Sequence, residues 1–186
     1  MHFSKDDFIV TNGGSDALLF ALMATCDPKD NILVPEPFYS NYNGFSQSIN
    51  VNITPITTKA EEGFHLPSKE KIQSLITSKT KAILISNPGN PTGTVYTKKE
   101  LYMISEIAKE NDLWEFVYDG LEYTSFGNIK EVEDRVIIID SVSKRYSACG
   151  ARIGSIASKD KTIIAGILKL CQGRLCVSTL DQVGSV

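Results

Sequence analysis

Apolar residues along this chain gather into short continuous runs, separated by longer stretches in which they recur at helical spacing. Runs at Phe8–Thr11, Ile32–Pro35, Asn52–Ile56, Ala82–Ser86, Val136–Asp140 and Ile153–Ala157 predict strands. Several are apolar on both faces, as strands covered by helices on each side would be. Between them, Ser15–Thr25, Ser68–Ile76, Thr97–Lys109 and Asp160–Leu170 predict helices. Ser68 is a ready N-cap, and Thr97-Lys98-Lys99-Glu100 is a Thr-x-x-Glu capping box. Turn chemistry separates the elements at Asp27-Pro28-Lys29-Asp30, at Asn87-Pro88-Gly89-Asn90-Pro91 and at Asp119-Gly120. No internal repeat, low-complexity tract or Gly/Ser linker divides the chain. The expected fold is α/β, a three-layer single domain with a mostly parallel sheet and helices on both faces.

One region breaks the rhythm. After the helix ending near Asn111 a strand should return to the sheet, yet only Leu113–Tyr118 precedes the Asp119-Gly120 turn. It is short, and Glu115 interrupts it.

Composition narrows the function classes. The 186 residues are 42% hydrophobic and 22% charged, the range of an ordinary globular protein. Nineteen Lys and Arg against 22 Asp and Glu give a net charge of −3, which writes no footprint for nucleic acid or an anionic membrane. No apolar run reaches bilayer length and Met1–Lys5 lacks a signal-peptide layout, so the expected compartment is the cytosol. Cys26, Cys149, Cys171 and Cys176 form no CxxC pair, and with only His2 and His65 beside them a zinc site is not expected.

Three segments carry candidate chemistry, each where a strand ends, the edge at which open α/β sheets bind ligands. Thr11-Asn12-Gly13-Gly14-Ser15-Asp16 leads into an apolar helix, whose free N–H groups and dipole suit a phosphate. The same glycines also make an ordinary strand-to-helix turn. Ser86-Asn87-Pro88-Gly89-Asn90-Pro91-Thr92-Gly93 is a loop stiffened by two prolines, able to aim the amide of Asn90. Asp140-Ser141-Val142-Ser143-Lys144 places a lysine at a strand end among hydroxyls, with Arg152 eight positions on. Such an amine can attack an aldehyde, though a solvated strand-end lysine looks the same in isolation.

Together these segments, with Pro35-Glu36-Pro37-Phe38-Tyr39, SNPGNPTG and SVSKRYSACGARIG, make the chain resemble the class I and II aminotransferases, the fold type I enzymes of pyridoxal 5′-phosphate (PLP). The resemblance runs from about Phe8 to the C-terminus. It implies that Lys144 forms the internal aldimine with PLP and later shuttles a proton. Gly14, Ser15, Asp16, Ser141, Ser143 and Arg152 would form the phosphate cup, Tyr39 would lie on the pyridine face and Asn90 would bond the phenolic oxygen. The implied reaction moves an amino group between an amino acid and a 2-oxo acid, in a homodimer. A related PLP lyase or synthase, or a non-catalytic paralogue, would use the same scaffold.

The departures are as specific. The family's strand ending in Asp-Glu-x-Tyr, whose Asp pairs with the pyridine nitrogen, has no counterpart, and Asp119 belongs to the turn that follows that strand. The smaller domain holding the substrate carboxylate and the N-terminal arm are also absent. The chain thus reads as a cofactor domain cut at both ends and in the middle. It is expected to lack an interior strand between Ala82–Ile85 and Val136–Asp140, leaving two rows of backbone groups without partners unless those neighbours close the gap or Trp114–Tyr118 moves in, and alone to be nearly silent.

Overall fold

A computed structural model describes residues 3–119 and 134–185. Within them, seven strands form one sheet: β1 (Phe8–Thr11), β2 (Asn31–Glu36), β3 (Asn52–Thr57), β4 (Thr80–Asn87), β5 (Trp114–Asp119), β6 (Val136–Ser141) and β7 (Gly154–Ala157). Their spatial order is β1-β7-β6-β5-β4-β2-β3. The pairs from β3 through to β6 are parallel, and β7 alone runs antiparallel, between β1 and β6. Helices α1 (Gly13–Thr25), α2 (Asn41–Ser48), α3 (Lys69–Gln73), α4 (Lys98–Glu110), α5 (Val142–Arg145), α6 (Lys161–Arg174) and α7 (Thr179–Gly184) complete the order. Alternation along the strands divides the core. Ile32, Val34, Leu84, Phe116 and Ile139 pack with α1 and α6 on one face, while Leu33, Ile83, Ile85 and Val117 pack with α3 and α4 on the other. The expected three-layer arrangement is therefore present.

The interior slot, expected to stand open unless Trp114–Tyr118 moved in, is filled by that segment. Trp114–Asp119 occupies the place between β4 and β6, parallel to both, with Leu84 registered on Phe116 and Asn87 on Asp119. Asp119 is thus the last residue of β5; its expected turn partner, Gly120, lies outside the described residues. The physical reason is that an unfilled slot would strand two rows of backbone groups, a larger cost than burying one carboxyl. Glu115 is fully buried, and among the described residues only the Ser105 Oγ of α4 reaches its carboxyl, 3.3 Å from Oε2, while Oε1 has no hydrogen bond. Burial pushes its carboxyl up to about 8, so near neutrality it sits in the core largely as the acid.

Capping residues act as their types predict. Thr97 Oγ1 accepts from Glu100 N–H while the Glu100 carboxylate accepts from Thr97 N–H, and Asp160 accepts from Thr162 and Ile163 N–H at the start of α6. At the sheet edge, Asp7 is buried and receives Lys159 Nζ at 2.9 Å and Lys161 Nζ at 2.5 Å. Lys161 foremost, then Ser4 and Lys159, hold its carboxyl well below the ordinary range.

Candidate active site

Parallel strands bring their C-terminal ends to one edge, and there the loops enclose a cavity of about 660 Å³. β1 delivers the α1 turn to it, β2 delivers Tyr39, β4 delivers the Asn87–Pro91 loop and β6 delivers Ser141, Ser143 and Lys144.

The α1 turn is shaped by β7. Gly154 pairs with both Thr11 and Ser141, so it stands between the two loops. A Cβ on Gly154 would come within 2.5 Å of the Gly13 carbonyl carbon and 2.8 Å of Gly14 N, so only glycine lets the turn lie this close. Arg152 adopts left-handed backbone, with φ 52°, and turns its guanidinium under the turn. Nη2 donates to Asn12 O at 3.3 Å and Nη1 to Cys149 O at 3.1 Å. Gly13, at φ +79°, leaves the space the guanidinium fills: a Cβ there would stand 2.2 Å from Nη2. The outcome is a concave patch of first-turn N–H groups, two hydroxyls and a fixed cation, the donor set of an anion cradle.

Gly14, Ser15, Tyr39 and Asn90 line this cavity, as do Ser141, Ser143, Lys144 and Arg152. The SVSK segment and the glycine turn therefore lie side by side, on the edge expected for them. Lys144 is exposed within α5, and among the described residues its side chain has no hydrogen bond or ion pair. Tyr39 is 39% exposed, and its hydroxyl accepts from Asn41 Nδ2 at 2.7 Å. Asp16 is the predicted residue that does not line the cavity. Its side chain turns away, accepting from Asn12 N–H at 2.9 Å and pairing with Arg174.

Other wall residues were given no role of their own by the sequence reading. Asn87 is buried, and its Oδ1 accepts from Tyr96 N–H at 3.0 Å, fastening the proline loop to the chain that follows. Tyr42 and Phe45 reach the cavity from α2, a helix not predicted; their i, i+3 spacing was the available signal. Asp140 and Arg145, paired at 3.0 Å, form a charged corner beside Lys144.

The model of the family described as "Aminotransferase class I and II" matches residues 1–184. The chain belongs to this family. An aspartate aminotransferase of Thermotoga maritima is 33% identical to it over 190 residues, covering 98% of this chain and 50% of the relative. Among solved structures, a Thermus thermophilus aspartate aminotransferase mutant superposes with a TM-score of 0.90 at 28% identity, over 97% of this chain and 51% of that one. An alanine aminotransferase from Pyrococcus furiosus gives 0.88 at 33% identity, over 97% of this chain and 48% of that one. The chain therefore spans about half the length of the relatives it matches. Among the described residues no helix is long and apolar enough to cross a membrane, and no cluster of ligating side chains could hold a metal ion.

Proposed function

We propose that this chain is the cofactor-binding domain of a PLP-dependent aminotransferase that moves an amino group between an amino acid and a 2-oxo acid. One observation carries the reading: Lys144, without an ion partner among the described residues, opens into the same cavity as the α1 turn and Arg152. The residues fit the cofactor. A cradle that excludes a side chain at Gly13 suits a phosphate, and the cavity is large enough for a pyridine ring. In this reading the N–H groups of Gly14 and Ser15, the hydroxyls of Ser141 and Ser143 and the guanidinium of Arg152 hold the phosphate. Arg152 suits this because a planar fork can give an anion two parallel donors, which a lysine cannot. Tyr39 offers a ring face and Asn90 an amide to the pyridine. The chemistry PLP supplies when bound is a sink for the electron pair released at the substrate Cα. Lys144 would hold the aldehyde end of the cofactor through Nζ, water leaving as that bond forms, and when freed by the incoming substrate amine Nζ would carry a proton. A cytosolic location and a homodimer in the complete protein go with the reading.

Borohydride reduction after PLP addition, followed by digestion and mass spectrometry, tests it. A pyridoxyl group is expected on Lys144 and lost with Lys144→Ala; label scattered over surface lysines would sink the assignment.

A further inference from the structure

Asp16 is an odd side chain to find in an anion cradle. It sits in the first turn of α1, where the proposed reading places a phosphate, and a carboxylate there repels such a ligand. Nor is the charge free to swing into solvent, because Oδ2 accepts the Asn12 N–H of the turn at 2.9 Å. On its other side stands Arg174, the last residue of α6, with Nε 3.1 Å from the same oxygen. The two side chains are only 22% and 16% exposed, so solvent screens the pair weakly. Arg174 is itself held in place. Nη1 donates to Leu175 O at 2.7 Å, Nη2 approaches Cys171 Sγ at 3.3 Å, and the guanidinium carbon lies 5.7 Å from the Phe20 ring centroid. Among the described residues its Nε makes no aligned hydrogen bond, so the contact with Asp16 is an ion pair.

We propose that Arg174 is a positioning residue for the phosphate end of the site: it neutralises Asp16, letting that carboxylate lock the Asn12–Gly14 turn without repelling the anion bound there. Arg174 does not line the cavity and touches no ligand; it acts through Asp16. The proposal rests on the PLP reading and adds to it a connection from the far end of α6 to the cofactor's phosphate.

Pyridoxal 5′-phosphate and pyridoxal, which differ only in the phosphate, are paired probes for absorbance titration of the 186-residue chain. Arg174→Gln should weaken PLP about tenfold or more, the scale of an uncompensated charge beside a bound dianion, and change pyridoxal affinity by less than about twofold. Arg174→Lys should retain much of the preference, and adding Asp16→Asn to Arg174→Gln should restore most of it. Equal losses for both ligands, or an unchanged preference, would overturn the proposal. So would a loss of fold in Arg174→Gln that Asp16→Asn does not repair. If the unaltered chain shows no preference for PLP over pyridoxal, the PLP reading itself falls and the proposal with it.

Discussion

Gly13 shows how little freedom one position in the site retains. At φ +79° an L side chain is strained by about 1–2 kcal/mol, and its Cβ would also occupy the place of Arg152 Nη2, 2.2 Å away. Gly13→Ala should therefore cost both stability and phosphate affinity, because the guanidinium must leave the turn it supports. A lower melting temperature together with a PLP affinity reduced about tenfold is the expected result. Unchanged binding would show that Arg152 does not build the cradle. Residues of this kind were legible in the sequence because motif and mechanism coincide: Lys144 and Arg152 sit in a run whose spacing survives in three dimensions. Asp16 was half legible. Its place in the turn could be read, but its orientation depends on Arg174, 158 positions away in sequence, which no local pattern links to it.

At the scale of elements, β5 separates what patterning could show from what it could not. A strand broken by glutamate reads as a poor interior strand, and the alternation rule offers no way to weigh that against leaving the slot empty. The sheet resolves the conflict by burying Glu115, and this has a measurable consequence. A carboxyl pushed from its ordinary 4.5 to about 8 stabilises the fold fully below 4.5 and loses that contribution as pH rises towards 8, because the unfolded chain ionises first. Between pH 4.5 and 7 the loss is on the order of 3 kcal/mol. Glu115→Gln should flatten this slope, with urea midpoints close to those of the parent at pH 4.5 and clearly higher at pH 7.5. Parallel pH profiles for the two proteins would mean that the carboxyl is ionised in the fold. Short polar helices were the other blind spot: α2 offers a single apolar i, i+3 pair and α5 none, too little for periodicity to register, yet both line the cavity.

Across the whole molecule, the cavity is assembled from segments that lie between Gly14 and Arg152, and the hydrogen bond from Arg152 to Asn12 closes a separation of 140 residues. Everything the proposed reading assigns to holding the cofactor is thus supplied by these 186 residues once the sheet has formed. Binding that favours the folded state over the unfolded one must raise stability, by about 2.7 kcal/mol at a hundredfold excess over Kd, which for a chain of this size is about 5–10 °C. Turnover is a different requirement. The matched relatives carry about twice this length, and sustained transamination requires the substrate to be held against the cofactor as firmly as the cofactor is held by the sheet. The 186-residue chain should therefore show the thermal shift and the Lys144 label but little reaction. Transfer of an amino group from an amino acid to a 2-oxo acid should run on the order of a hundred-fold or more slowly than with a full-length relative under the same conditions. Robust conversion by a chain whose mass is verified as these 186 residues would show that the cavity alone positions substrate; absence of the thermal shift with PLP would remove the cradle.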